Sequence, residues 1–190
     1  MQLQIQYWVK MTWIAFLVVW IVGAFSGKRT VRREPLSSRL FHLSLVVLVF
    51  LLMTNPKLNA GLPSMRFVPN AVFFSFLGLA LTIAGVAFAI WARVIIGRNW
   101  SAAVTVKQGH ELMRGGPYSV VRHPIYTGVL VALLGTVVTL GDLRWLLAFV
   151  VVSLALWLKS RREESFMVDQ FGAEYIAYKS KVKALIPFVW

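Results

Sequence analysis

The chain has 190 residues, of which 58% are hydrophobic and only 14% are charged, and it contains no cysteine. Soluble proteins carry about 25% charged residues, so this composition predicts an integral membrane protein. The lack of cysteine excludes disulfides, thiolate metal sites and a cysteine nucleophile. The net charge of +13 does not indicate nucleic-acid binding, because the basic residues flank apolar segments, where the positive-inside rule and anionic lipids account for them.

Five apolar segments approach the roughly 20 residues that cross a bilayer as a helix. In chain order they lie at about 7–26, 39–54, 70–97, Pro124 to Leu140 and Leu143 to Leu158. Gly78 and Gly85 in the third segment are typical of small-residue contacts between membrane helices. Gly141 and Asp142 separate the last two segments and predict a tight turn within an antiparallel helix pair.

Lysine and arginine concentrate in three polar regions, at 28–39, 98–122 and 159–183. The positive-inside rule places these regions in the cytosol, with the N-terminus outside and the C-terminus inside; in a prokaryote the membrane would be the inner or plasma membrane. Arg93, near the end of the third segment, is expected to extend to this interface. Beyond Lys159 the pattern becomes amphipathic, which predicts a cytosolic helix near the membrane surface.

Two polar segments, 97–128 and 159–178, meet on the predicted cytosolic face and hold most of the candidate site residues. Pro124 suits the first turn of a helix, whose free N–H groups and positive end would attract an anionic group. Lys159 and Glu163 are four residues apart and therefore share a helix face. The sequence has no dinucleotide or P-loop motif, and its three histidines lack metal-ligand spacing, so neither a soluble nucleotide fold nor a metal site is predicted.

One set of motifs in this region resembles a known family. It consists of Gly116-Pro117-Tyr118, Arg122-His123-Pro124-Ile125-Tyr126-Thr127-Gly128, Glu163-Glu164, Phe171-Gly172-Ala173-Glu174-Tyr175 and Ile186-Pro187. Together they resemble the isoprenylcysteine carboxyl methyltransferase and phospholipid methyltransferase superfamily, over roughly residues 97–190. The chain is accordingly divided into three N-terminal spans at 1–97 and a methyltransferase core at 98–190, with two spans and C-terminal amphipathic helices.

The resemblance implies an all-α integral membrane protein of about five transmembrane helices, with a cytosolic C-terminal helical segment that closes a pocket for S-adenosylmethionine. A lipophilic acceptor would enter from the bilayer. Carried over by motif, the cofactor contacts are His110, Glu111, Leu112, Met113, Tyr118, His123, Pro124, Ile125, Tyr126 and Glu163. The family places an arginine one turn before that glutamate. This chain has Lys159 there, with Arg161 and Arg162 nearby, and these three are expected to orient the acceptor.

The leading hypothesis is methyl transfer to the carboxylate of a prenylated cysteine or a similar acceptor. One alternative is a phospholipid amine or small-thiol methyltransferase; an amine must lose a proton, for which His123 or a glutamate would serve as base. Another is a membrane scaffold without catalytic activity. Glu164, in a charged run, is open between a structural and a functional role.

Overall fold

The computed structural model describes residues 1–24, 30–33, 40, 44, 65–97, 105–107 and 112–187. The helices are α1 (Gln2–Ala24), α2 (Val72–Ile96), α3 (Pro124–Leu140), α4 (Leu143–Phe171) and α5 (Ala173–Lys181), with strands β1 (Thr30–Arg33) and β2 (Thr105–Lys107) and a 3₁₀ turn at Gly116–Ser119. Most of the predicted second span, 39–54, lies outside the described residues.

Three helices, α1, α2 and α4, are long and apolar enough to cross a membrane, and α3, with 17 residues, is the shorter apolar helix between α2 and α4. The prediction of a helical membrane protein is therefore confirmed. The bounds of α2 and α3 agree closely with the apolar segments, because sequence signals mark their ends. In particular, α3 begins at Pro124 in its first turn and ends before Gly141, whose φ of 74° is left-handed and suits glycine.

The contact between α2 and α3 forms the closest helix pair of the described core. It is made by two glycines on each helix, Gly78 and Gly85 on α2 and Gly128 and Gly135 on α3. A Cβ atom added at any of the four would lie within 3.0 Å of backbone atoms on the facing helix. Small residues let helix backbones approach in this way, so that dispersion contacts hold the pair. The predicted role of Gly78 and Gly85 is thus confirmed.

Helices α1 and α2 run parallel, because matching ends of the two meet. Gln2 Nε2 donates a hydrogen bond to Asn70 Oδ1 (2.7 Å) at one end, and Arg93 donates to Gly23 O (2.6 Å) at the other. Arg93 also donates to Gly97 O at 2.8 Å and is only 5% exposed. The Arg93 guanidinium is thus buried and caps the C-terminal carbonyls of both helices; its place relative to the membrane interface stays a prediction.

Helix α4 runs 29 residues without a break. The sequence predicted a span ending near Leu158 and a separate cytosolic helix, whereas the backbone stays helical through the change from apolar to charged side chains. The helix ends only at Gly172, with φ of 52°, a conformation that favours glycine. The same rod therefore carries both the apolar surface and the charged residues that follow it.

Strands β1 and β2 form a small antiparallel ribbon, pairing Thr30 with Lys107 and Arg33 with Thr105. The sequence around β1 was interpreted as a basic loop, since four residues are too short for a clear strand pattern. The ribbon links the segment after α1 to the segment after α2.

Candidate functional site

The N-terminal end of α3 is joined to the C-terminal segment through the backbone. Arg122 N donates to Lys183 O (2.8 Å) and His123 N to Ala184 O (3.0 Å), and Thr127 Oγ1 donates to Leu185 O at 2.7 Å. Val121 and Lys183 also form a parallel bridge. The segment after α5 thus lies beside the entry to α3 and pairs with backbone N–H groups that precede the helix.

His123 lies between two carboxylates. Its Nδ1 is 3.4 Å from Glu163 Oε2, and its Nε2 is 3.3 Å from Glu164 Oε1. A carboxylate only accepts hydrogen bonds, so a protonated imidazole, in which both ring nitrogens are donors, suits both contacts. Burial alone would lower the pKa of His123, but the hydrogen bonds and negative charges of Glu163 and Glu164 outweigh it and raise the pKa above its usual value.

Glu163 forms a cluster with three residues that the sequence had already selected. Tyr126 OH donates to Glu163 Oε1 at 2.5 Å, and the rings of His123 and Tyr126 lie parallel with centroids 5.5 Å apart. Lys159 Nζ is 5.6 Å from the centroid of the Tyr126 ring. We refer to His123, Tyr126, Lys159 and Glu163 as the Glu163 cluster, which joins the start of α3 to α4.

Glu164 faces the other way and binds the C-terminal segment. Its side chain is 5% exposed and lies 2.5 Å from Arg122 Nη2 and 2.7 Å from Lys179 Nζ. Arg122 also donates Nε to Glu164 at 2.9 Å and Nη1 to the carbonyls of Lys179 and Val182. A buried carboxylate with two cationic partners and His123 is well compensated. Glu164 therefore has a clear structural role.

Buried tyrosines hold α5 against the 3₁₀ turn. Tyr178 OH donates to Tyr118 O at 2.5 Å, and Tyr118 OH reaches Ala92 O on α2 at 3.4 Å. Burial raises the pKa of Tyr178 to about 12, so its hydroxyl stays protonated and continues to donate at neutral pH. Tyr175 is 3% exposed beside it. These contacts connect α2, the 3₁₀ turn and α5.

The structure brings some of the predicted site residues together and separates others. His123, Tyr126, Lys159 and Glu163 share one cluster, with Pro124 and Ile125 in the same turn of α3. Tyr118, Leu112 and Met113 precede it; the first is buried and the other two are half-buried. His110 and Glu111 lie outside the described residues.

Arg161 and Arg162 are both exposed on α4, but on different faces. Arg162 is three residues from Lys159 and shares its face, whereas Arg161 lines a separate cavity with Glu164 and Lys183. Sequence reasoning did not select Arg122, Glu164 and Lys179 as site residues, because their contacts join positions far apart in the chain.

Comparison with known proteins decides the family. The family model for phospholipid methyltransferases matches residues 73–174. A probable protein-S-isoprenylcysteine O-methyltransferase of Oryza sativa subsp. indica is 31% identical over 176 residues, which cover 89% of this chain and 87% of that protein. The chain belongs to the phospholipid methyltransferase family. The matched stretch runs from α2 into α5 and includes the whole Glu163 cluster.

Two further proteins are similar to this member of the phospholipid methyltransferase family. The protein-S-isoprenylcysteine O-methyltransferase of Saccharomyces cerevisiae is 36% identical over 119 residues, covering 60% of this chain and 48% of that protein. A solved eukaryotic intramembrane Ras methyltransferase, an isoprenylcysteine carboxyl methyltransferase, matches with a TM-score of 0.54 and 24% identity, covering 82% of this chain and 54% of that chain. The likeness supports the helical fold, and the family membership makes this protein a membrane methyltransferase.

Proposed function

We propose that this methyltransferase transfers a methyl group from S-adenosylmethionine to the carboxylate of a prenylated cysteine or a similar lipophilic acid, at the cytosolic membrane face. The observation that carries the proposal is the Glu163 cluster, which combines an anionic and a cationic side chain where the apolar part of α4 ends. A relative matched over 87% of its length is named for this reaction. The basic residues of this end favour the cytosolic side.

The hydrogen-bond acceptors of the cluster fit the cofactor. Each Glu163 oxygen accepts one hydrogen bond from the chain, from Tyr126 or from His123, and a carboxylate oxygen can accept two. Glu163 therefore retains acceptor capacity for an amino group or a ribose hydroxyl. The residues that would complete the pocket are those of the family motifs: His110, Glu111, Leu112, Met113, Tyr118, His123, Pro124, Ile125 and Tyr126.

Lys159 is the residue that would orient the acceptor, together with Arg162 on the same face of α4. Bound S-adenosylmethionine would supply a sulfonium methyl group, to which a carboxylate oxygen bonds as the carbon–sulfur bond breaks, giving a methyl ester and a neutral thioether. A carboxylate has no proton to lose, so the chain's contribution is to position it and to exclude water. Lysine offers a positive charge but not the bidentate hydrogen bonding to a carboxylate that arginine offers.

The state of His123 distinguishes a carboxylate acceptor from an amine. An amine must lose a proton to a base, and both ring nitrogens of His123 already face carboxylates. A protonated imidazole with hydrogen bonds at both ring nitrogens is a poor base. The cluster therefore favours an acid acceptor over the phospholipid amine of the alternative hypothesis, and a small thiol acceptor would equally need deprotonation.

The test is transfer of labelled methyl from S-adenosylmethionine by purified protein in lipid vesicles. The acceptors are a prenylated cysteine, a phosphatidylethanolamine and a small thiol, offered separately. Glu163→Gln removes the charge of the cluster at nearly the same size. Glu174→Gln is the matched control, because Glu174 is half-exposed and pairs only with Arg114 among the described contacts.

Base-labile label on the prenylated cysteine, lost in Glu163→Gln and kept in Glu174→Gln, is the expected result. Label on the amine or the thiol alone would show that the proposed acceptor is wrong and that the proposed methyl donor is right. Failure of the wild-type protein to bind S-adenosylmethionine in equilibrium dialysis would contradict the proposal and favour a scaffold.

A further inference from the structure

A cavity of about 180 Å³ lies on the side of α4 that faces away from the Glu163 cluster. It is far larger than the roughly 10–15 Å³ that one water needs. Its lining comes from the start of α3, from α4, from α5 and from the segment after α5, namely Arg122, Trp157, Ser160, Arg161, Glu164, Lys179, Lys183 and Ala184. The proposed methyl transfer uses none of this space.

The charge of the cavity is strongly positive. Four cationic side chains line it against one carboxylate, that of Glu164. Arg122 and Lys179 are both bound to Glu164. The side chains of Arg161 and Lys183 have no ion pair or hydrogen bond within the part of the chain that the structure describes. Two exposed cations at the edge of a cavity thus remain available to an anion.

The surface that leads to the cavity is apolar and faces outward. Leu147, Val150, Leu154 and Leu158 are 39% to 55% exposed and follow one another at spacings of three and four residues. Such spacing places them in one stripe along α4, and Arg161 is the next member of the same stripe. A helix that crosses a membrane presents such a stripe to acyl chains, so Arg161 stands where the stripe meets the head-group layer.

We propose that this cavity binds the phosphate group of an anionic lipid, held by Arg161 and Lys183, while the acyl chains of the lipid lie along Leu147, Val150, Leu154 and Leu158. Because the cavity is walled by both α4 and the segment after α5, the bound phosphate bridges the two. The proposal concerns a lipid that is not methylated, and it does not depend on which acceptor the enzyme uses.

The test measures lipid binding directly. Purified protein in neutral detergent is titrated with phosphatidylglycerol or phosphatidylcholine, and bound lipid is counted by native mass spectrometry. The variants are Arg161→Gln and Lys183→Gln. Lys181→Gln is the matched control, because Lys181 is exposed, carries the same charge and lies two residues from Lys183 but does not line the cavity. Inorganic phosphate is added as a competitor in a separate series.

Phosphatidylglycerol is expected to bind the wild-type protein more tightly than phosphatidylcholine does. It should bind each of the two cavity variants about fivefold more weakly than it binds the wild type. Lys181→Gln should bind as the wild type does. Inorganic phosphate should displace the lipid, because it competes for Arg161 and Lys183. Equal binding of phosphatidylglycerol and phosphatidylcholine would overturn the proposal of an anionic lipid. Equal weakening in Lys181→Gln and Lys183→Gln would overturn the proposal in favour of general attraction to a basic surface. None of these outcomes requires methyl transfer, so they are independent of the proposed activity.

Discussion

His123 keeps two carboxylates together at the start of α3. Glu163 and Glu164 are neighbours on α4, and each faces a different nitrogen of the same imidazole. Without a positive charge between them, these two neighbouring carboxylates would repel each other, and one of them would tend to take up a proton. The protonated ring therefore fixes the ionisation of both glutamates, one in the predicted cofactor site and one bound to the C-terminal segment.

The pH dependence of stability should show this role. Since the folded-state pKa of His123 is raised, its stabilising contribution is complete below the unfolded value of about 6.5 and is lost as pH rises through the folded pKa. Thermal unfolding in detergent, measured from acidic to alkaline pH, should show the wild-type midpoint falling across this window. In His123→Gln the fall should be much smaller. Equal slopes in the two proteins would contradict the assignment.

Lys159 should affect acceptor binding more than cofactor binding. Lys159→Gln removes the positive charge, so we expect the KM for a prenylated cysteine to rise about tenfold, in line with the roughly 1.5–3 kcal/mol of a charge-assisted hydrogen bond. Lys159→Arg restores the positive charge on a side chain that can form bidentate hydrogen bonds, and it should restore the KM. Steady-state kinetics with each substrate varied in turn separates the two effects. A rise confined to the KM for S-adenosylmethionine would place Lys159 at the cofactor instead.

A buried ion pair links the entry to α3, the polar part of α4 and the segment after α5. Arg122 and Glu164 are 8% and 5% exposed, and the same guanidinium reaches carbonyls of Lys179 and Val182. Removing Arg122 takes away one of the three partners of the buried Glu164 carboxylate and leaves it with Lys179 and His123. An exposed pair, such as Arg114 with Glu174 at about half exposure, contributes much less.

These two pairs make a matched comparison. Arg122→Gln should destabilise the docked segment by about 1.5–3 kcal/mol, the scale of a hydrogen bond to a charged group, whereas Arg114→Gln should cost about 0–1 kcal/mol. Hydrogen exchange of the amides between 173 and 187 is the measurement, with faster exchange expected in Arg122→Gln alone. Similar exchange in both variants would mean that the tyrosine contacts, rather than the ion pair, hold α5.

The α2–α3 contact should be intolerant of even one methyl group. Alanine favours a helix over glycine by about 1 kcal/mol, yet Gly85→Ala would place its Cβ against the backbone of Gly128 and Ala132. We expect a net loss of roughly 1–3 kcal/mol in unfolding by denaturant in detergent micelles. Gly115→Ala is the control, because no atom lies within 4 Å of its added Cβ. A stabilised Gly85→Ala protein would show that the helices are free to separate.

For the molecule as a whole, the sequence predicted those features that residues close together in the chain determine. Pro124 and Gly141 mark the two ends of α3, and the resemblance in the motifs around His123 and Glu163 agrees with the family. The predicted division at residue 97, the roles of the individual site residues and the five-span topology stay predictions. Most of the predicted second span lies outside the described residues, and so do His110 and Glu111.

Other features depend on contacts between distant positions, which a single sequence does not display. Glu164 was open between two roles because its partner Arg122 is 42 residues away. The hydrogen bond from Arg93 to Gly23 O joins residues 70 positions apart, so nothing nearby in the sequence reveals it. The full length of α4 was missed because the apolar segment ends at Leu158, although charged residues such as arginine and glutamate are good helix formers.

The apolar parts of α3 and α4 are nearly equal in length. At about 1.5 Å per residue, the 17 residues of α3 span about 26 Å and the apolar part of α4, residues 143–158, about 24 Å. The hydrocarbon layer is about 30 Å thick, so a change in thickness should tilt or shift the two helices together and leave His123 beside Glu163. We expect methyl transfer in vesicles of graded acyl-chain length to change little with thickness; a sharp peak at one thickness would mean that the two helices move relative to each other.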